Sequence, residues 1–327
     1  LARELYLEYT DRVEAFGIDE CWLDLTGCPE KDGFQAAEKI RIRMKKELGL
    51  TVSIGVSWNK IYAKLGSDLK KPDASTLISR ANYQEVVYPL PVGDLLYVGP
   101  ATRRKLQRIG IRTIGQMVEA GPDFLRSLFG VVGLSLHCFG AGLDRTPVAP
   151  SGREVPIKSV GNSITTRHDL YTEEDIKAVT YMLTESVASR LREAGMAAQT
   201  VQVSLRDYQL FNFERQAPLA QATQLCSEIA PAAFQLIMAH FQKGQWIRSL
   251  GVRACKLVPL SRLRQVSFLP HEGRRQAILR LEDTLDGLRH RYGGLSVRRA
   301  ISLVDRTLTD HDIKSENVIH PVGFFGP

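Results

Sequence analysis

Long apolar runs are missing from this chain: none of its 327 residues belongs to a stretch approaching the roughly 18 to 20 that a membrane helix needs. The opening "LARELYLEYT" has neither the apolar core nor the small-residue cleavage site of a signal peptide. The expectation is a protein that stays in the cytosol, away from membranes. Cysteine is also scarce. Cys21, Cys28, Cys138, Cys226 and Cys255 are odd in number and never form a CxxC pair, which argues against a disulfide framework and a structural zinc and predicts reduced thiols, mostly in the core. Acids are absent from two long segments. Between Asp94 and Glu119 the only charges are Arg103, Arg104, Lys105, Arg108 and Arg112. Between Glu228 and Glu272 they are Lys243, Arg248, Arg253, Lys256, Arg262 and Arg264. Such segments suit contact with a phosphate backbone.

What is present is a globular mixture. Hydrophobic residues make up 44% and charged residues 24%, enough apolar mass for two or three cored domains, and this excludes disorder as the default. The net charge of +7 points the same way as the acid-free segments, toward a polyanionic partner. The segment "VEAFGIDECWLDLTG" (13–27) reads as a strand pair with Asp19 beside Glu20 at its turn. Two adjacent carboxylates among apolar neighbours need water or a cation to offset their charge.

Further along, "GFQAAEKIRIRMKKELGL" (33–50) places Phe34, Ala37, Ile40, Met44 and Leu48 at helical spacing and stops at Gly49. "TVSIGVS" (51–57) reads as a β-branched strand, and "NKIYAKLGSDLKKPD" (59–73) as a helix closed by Pro72. Strand, helix, strand, helix predicts an α/β layer. Prolines in "VVYPLPVGDL" lead into a helical region over about 90–145, and "GLDRTPVAPSGREVPIKS" reads as an interdomain linker. Beyond it come a strand "KSVGNSITTRHDL", a long helix "EEDIKAVTYMLTESVASRLREAG", strands "QTVQVSLRDY" and "LFNFERQAPL", a helix "QATQLCSEIAPAAFQLIMAHF" and a strand "IRSLGVRACKLV". Both helices would cover one face of an antiparallel sheet and leave the other free.

Within the helical region, "LLYVGPATRRKLQRIGIRTIGQMV" has turns at Val98-Gly99 and at Ile109-Gly110-Ile111, as in a helix-hairpin-helix. Glycine lets the backbone approach a phosphate, and the amides opening the next helix point at it. Gly99, Ala101, Thr102 and Arg103 are the candidate contacts; the competing reading is an ordinary αα-hairpin with a solvated basic face.

Taken in order, "GIDECWLDLTG", "SIGVSWNKIYAKLGSDLKKPD", the helix-hairpin-helix, "FGAGLDRTPV" and "KSVGNSITTRHDL" resemble the Y-family DNA polymerases, lesion-bypass enzymes of the DinB and UmuC type. The resemblance implies an α+β multidomain protein: a partial palm of α/β type (1–88), a helical thumb (89–147), a linker (148–157), a little finger with an antiparallel sheet (158–260), and a C-terminal extension (261–327) with a last helix or strand. It implies template-directed DNA synthesis on primer-template DNA from deoxynucleoside triphosphates, in the cytoplasm of a bacterium and close to its nucleoid. Asp19 and Glu20 match the carboxylates that bind catalytic Mg²⁺, with Gly17 at the place of the family's serine, a change expected to matter little because serine is no ligand. Asp24 falls on a second acidic position and is expected to be structural. Lys71 matches the lysine that reaches the triphosphate, with Asp73 in place of the commoner asparagine. Lys60 and Lys64 match other lysines of the same helix and are expected on its surface or as backbone support.

In the little finger, Lys158, Ser159, Thr165, Thr166, Arg248 and Arg253 are the implied backbone contacts. "RQVSFL" (264–269) resembles a sliding-clamp-binding pentapeptide with Gln265, Ser267, Phe268 and Leu269 as contacts; alternatively, its apolar residues pack on the little finger. The ending "IHPVGFF" resembles the C-termini of UmuC-like repair proteins of Gram-positive bacteria. The family's first palm strand, with a further metal-binding aspartate and the steric gate, and its fingers domain have no counterpart here, so the chain is expected to be an N-terminally truncated piece, inactive alone. The rival class is a non-catalytic polymerase-like adaptor that binds DNA and partners.

Overall fold

The computed structural model describes residues 1–28, 32–152, 156–241, 246–262 and 272–311. The chain divides into two compact units, Leu1–Glu154 and Val155–Ile319.

The first unit begins with α1 (Ala2–Leu7), the hairpin of β1 (Val13–Ala15) and β2 (Cys21–Leu23), and α2 (Gly33–Leu48). Asp32 caps α2 by accepting the Phe34 amide, and Gly49 closes it at φ +67. Its buried stripe of Ala36, Ala37, Ile40 and Met44 is the one that the helical spacing predicts, and Ile40 and Met44 pack with Leu5 of α1. Next come β3 (Ile54–Val56), α3 (Lys60–Leu69) and β4 (Ser75–Leu77), with β3 and β4 parallel. Helix α3 lies very close to β3: a Cβ built on Gly55 would sit 1.8 Å from the Ala63 carbonyl oxygen, and one on Gly66 would sit 3.2 Å from Gly55 Cα. After α4 (Tyr83–Val87) the helices α5 (Pro100–Arg108), α6 (Ile114–Glu119), α7 (Pro122–Phe129) and α8 (Val131–Gly140) follow. One apolar core, from Ile61, Tyr62 and Leu65 of α3 to Leu106, Met117, Leu125 and Leu136, joins α3 to these helices. The "FGAGLD" motif has a packing reason: Gly142 has φ +70, lies against Tyr62 and Trp58, and its carbonyl accepts from Trp58 Nε1 at 3.1 Å.

The second unit is a four-stranded antiparallel sheet of β5 (Ser159–Leu170), β6 (Met196–Asp207), β7 (Asn212–Thr223) and β8 (Ile247–Pro259), in the order β5-β8-β6-β7. Helices α9 (Glu173–Glu193) and α10 (Cys226–Met238) pack on one face, burying Val179, Leu183, Ile229 and Ile237 against Val201, Val203, Leu250 and Val252. The strand and helix order matches the sequence reading. One boundary moves: the segment expected to open α10 at residue 221 still belongs to β7, where Thr223 pairs with Ala198.

The extension past residue 260 contributes α11 (Glu272–Tyr292) and α12 (Arg306–Thr309), and α11 is pinned to α9 and α10 by charge. Arg192 of α9, 7% exposed, bonds Glu282 at 2.6 Å and Asp286 at 2.7 Å. Glu282, 3% exposed, also accepts the Cys226 amide at 3.0 Å and the Ser227 amide at 3.3 Å, filling the N-terminus of α10 that its own N-cap residue, Leu225, leaves open. Arg299 joins Glu185 at 2.8 Å to Glu282 at 3.3 Å.

All five cysteines are free thiols, but only Cys226 is buried; the other four are half-buried, so the expectation of core cysteines is corrected. Burial still pushes the Cys21 thiol up to about 11, which keeps it protonated at neutral pH.

Candidate catalytic hairpin and nucleic-acid surfaces

The β1–β2 hairpin separates its apolar and acidic parts. Trp22 is buried, its indole N–H donates to the Lys60 carbonyl at 3.0 Å, and its ring meets that of Phe16 at 4.6 Å. The turn closes where the Phe16 amide donates to the Glu20 carbonyl at 2.8 Å, with Gly17 at φ +88. Asp19 is thereby left exposed at the tip, with no side-chain partner among the described residues. Glu20 beside it accepts from Lys64 Nζ at 3.0 Å. Asp24 faces away from the tip and accepts the Thr26 amide at 2.9 Å, a local turn contact.

Helix α3 carries the matching cations. Lys64, 15% exposed, reaches Glu20 and also Asp68 at 2.7 Å. Asp68 in turn holds Lys71 at 2.7 Å, and Lys71 remains 55% exposed. Burial alone would lower the pKa of Lys64, but Asp68 and Glu20 together raise it, and despite partial burial Asp68 is held below the usual carboxylate range by Lys64 and Lys71. The result is an unbroken row of alternating charge from Glu20 to Lys71. Asp73, two residues on, is fastened to α2 through Lys45 at 2.7 Å and Arg41 at 2.8 Å, and these partners hold its carboxyl low. An asparagine would lack the charge for that contact.

Gly99 is the N-cap of α5 and supplies no side-chain cap, and since Pro100 has no N–H, the Ala101 and Thr102 amides are the ones left uncapped. The space around Gly99 is clear, Ala101 and Arg103 are exposed, and Thr102 is half-buried. The hairpin to α6 turns at Gly110, φ +87, and α6 is closed by a capping box between Thr113 and Gln116. Arg104, Arg108 and Arg112 are exposed on this stretch, whereas Lys105 is engaged with the Leu128 carbonyl and the Phe129 ring.

In the second unit, the sheet face away from α9 and α10 is polar and flat. Cross-strand register places Gly161, Arg253, Gln202 and Gln216 in one row, Ser163, Gly251, Ser204 and Glu214 in the next, and Thr165, Ser249, Arg206 and Asn212 in a third. The centre stays low because Gly251 leaves no room for more: a Cβ there would lie 2.3 Å from Ser204 Oγ.

Sequence models of the impB/mucB/samB family match residues 2–68, and those of the same family's C-terminal domain match residues 157–268. The DNA polymerase IV of Acetivibrio thermocellus is 44% identical over 309 residues, which are 94% of this chain and 77% of that protein. The DNA polymerase IV of Moorella thermoacetica is 35% identical over 298 residues, 90% of this chain and 73% of that one. The chain belongs to the Y-family DNA polymerases. A solved Y-family DNA polymerase chimera shares the fold with a TM-score of 0.68 at 20% identity, covering 79% of this chain and 74% of its own. The α+β architecture with its antiparallel sheet is that of a Y-family palm and little finger, and the protein is of the lesion-bypass DNA polymerase class.

For this Y-family polymerase the structure sorts the expected residues into distinct groups. Asp19, Glu20 and, through Lys64 and Asp68, Lys71 stand in one neighbourhood. Gly99, Ala101, Thr102 and Arg103 open α5, while Ser159, Thr165 and Arg253 lie on the free sheet face, next to an exposed Lys158. Two residues do not belong on that face. Thr166 is buried and donates to the Arg248 carbonyl at 3.1 Å, and Arg248 turns to Asp169 at 3.5 Å, because each is the strand neighbour of a free-face residue, Thr165 or Ser249, and alternation sends it to the opposite side. For Lys60, expected on the helix surface or as backbone support, the structure favours support. Lys60 is 3% exposed, paired with Glu14 at 2.6 Å and set 5.2 Å from the Trp22 ring, so it supports the hairpin from beneath. Gly17 sits at φ +88, where a serine would be strained. Arg206, Gln202 and Ser163 were missed; strict alternation along β6 from Val201 would have marked Gln202 and Arg206. Gln265, Ser267, Phe268 and Leu269 lie outside the described residues, as does the "IHPVGFF" tail.

Proposed function

We propose that this Y-family chain serves template-directed nucleotidyl transfer with two Mg²⁺ ions, held at Asp19 and Glu20. The observation that carries the reading is Asp19: an exposed carboxylate without a side-chain partner among the described residues, fixed beside Glu20 by a hairpin that buries Val13 and Trp22. The donor set fits a hard ion. It offers carboxylate oxygens and no sulfur or imidazole, and Mg²⁺ needs few protein ligands because it keeps waters and substrate phosphates. When bound, the ions would neutralise charge on the attacking and leaving oxygens of phosphoryl transfer. Lys71, exposed at the end of its row, would take the triphosphate as a point charge, and the α5 amides would hold backbone phosphates. The free sheet face, with Arg206 and Arg253 above small side chains, would track the duplex without reading sequence.

Asp19→Ala or Glu20→Ala is expected to lower primer extension by on the order of 10²–10³-fold, with DNA affinity unchanged. Full extension by Asp19→Ala ends the assignment, and no extension by the wild type favours the adaptor. Recruitment by a sliding clamp through Gln265, Ser267, Phe268 and Leu269, in a bacterial cytoplasm near the nucleoid, is part of the same proposal. Equal clamp binding by the wild type and by the Gln265→Ala, Phe268→Ala, Leu269→Ala variant would remove it.

A further inference from the structure

We infer that Lys64 and Asp68 are positioning residues that couple the acidic hairpin to the triphosphate lysine, an inference that rests on the proposed roles of Glu20 and Lys71. Ion pairs at helical spacing are common and weak on a surface, so Lys64–Asp68 and Asp68–Lys71 alone would mean little. Two features set this row apart. Lys64 is 15% exposed and leaves its own helix to reach Glu20, 44 positions earlier in the chain. The row's two ends are the groups assigned to the metal and to the triphosphate.

The row is balanced: Glu20 and Asp68 supply two negative charges, Lys64 and Lys71 two positive ones, and each has a partner within 3.0 Å. Were Glu20 to give its carboxylate to a divalent cation, Lys64 would lose that partner. Lys64 then gives more of its charge to Asp68, and Asp68 holds Lys71 less. The lysine is released toward solvent, where a triphosphate would meet it. Asp68 thus restrains Lys71 while the hairpin is empty, and Lys64 reports to Asp68 whether it is filled. Such coupling needs only differential contact in the two states.

The test measures equilibrium binding of dATP to the DNA-bound full chain by calorimetry, with Ca²⁺ in place of Mg²⁺ so that no turnover occurs. Asp68→Asn is expected to tighten binding by roughly two- to fivefold, the range set by a half-exposed pair, and Lys64→Gln to weaken it by a similar factor. Lys64→Arg, which can keep both partners, should restore wild-type affinity. In a Lys71→Ala background the Asp68→Asn effect should vanish, as in a double-mutant cycle for residues acting through each other. Melting curves confirm that each variant folds. Loss of affinity in Asp68→Asn, or a gain that persists without Lys71, overturns the coupling and leaves only a structural or long-range charge effect. No binding by the wild type, or no loss in Lys71→Ala, overturns instead the assignment of Lys71 itself.

Discussion

The two units treat acidic residues in opposite ways. Along the seam of α9, α10 and α11, Glu282 is buried and meets Arg192, Arg299 and two backbone amides, so every part of the group has a partner. At the β1–β2 hairpin, Asp19 stands in solvent with no side-chain partner among the described residues, and Glu20 has one lysine. The seam uses charge as a fastener, and a fastener is worth what its removal leaves behind. The hairpin keeps charge available for a ligand. Stability and availability are therefore assigned to different acids, and the contrast can be attacked from both sides.

The largest effect falls on the seam. Glu282→Ala takes one carboxylate from the buried Arg192, which keeps Asp286, and leaves two α10 amides without their acceptor, and should lower the unfolding free energy of the second unit by about 1–3 kcal/mol. Asp19→Ala should stay within about 0.5 kcal/mol of the wild type, as for surface positions. Chemical denaturation of both variants decides it, and equal losses would erase the contrast. Next comes Gly17→Ser. At φ +88 a serine is strained by roughly 1–2 kcal/mol, so the hairpin should open more readily while its ligands remain, an effect read by amide exchange across β1 and β2. A third comparison sets charge on the free sheet face against charge off it. Arg206→Ala and Arg253→Ala should each lower the salt slope of DNA binding by about 1, while Arg248→Ala, whose guanidinium turns to Asp169, leaves it nearly unchanged. An Arg248 effect as large as theirs would mean that its placement off that face fails.

The smallest effect is the pH response of the His168–Asp305 contact at 3.2 Å. His168 is raised above its ordinary 6.5, first by the Asp169 carbonyl and then by Asp305, while Thr307 and His168 hold Asp305 below 3.8. For a raised histidine, the contribution is complete below 6.5 and lost as pH climbs through the folded value; for a lowered aspartate it is lost as pH falls through its own. The window for stability is therefore mildly acidic. The side chains are partly exposed, so His168→Phe should remove only a few tenths of a kcal/mol of pH dependence between about pH 6 and 8, measured by melting in matched buffers.

Much of this was legible in the sequence, for identifiable reasons. The stripe of α2, the Gly49 stop, the strands and helices of the second unit and the exposed Asp19-Glu20 turn all follow from local spacing and turn chemistry. What stayed hidden depends on partners distant in the chain. Nothing near Lys60 announces Glu14, and a lysine is ordinarily solvated, so its burial could not be read. Arg192 and Glu282 are 90 positions apart. Thr166 and Arg248, by contrast, were readable: each adjoins a residue of the free face, Thr165 or Ser249, and strand alternation puts neighbours on opposite sides.

The close approach of α3 to β3 has a consequence for how this site can change over generations. Gly55 and Gly66 let helix and strand touch backbone to backbone, so a Cβ at position 55 would collide with the Ala63 carbonyl. Lys64 stands one residue beyond Ala63 and Asp68 one turn further. The distance from these charges to the acidic hairpin is thus fixed by the absence of a side chain on an uncharged strand, and a single methyl group at position 55 would move the charged row without altering any charged residue. An evolving lineage can retune its electrostatics at that remote, neutral position, where inspection of the acids and lysines alone would find every one of them intact.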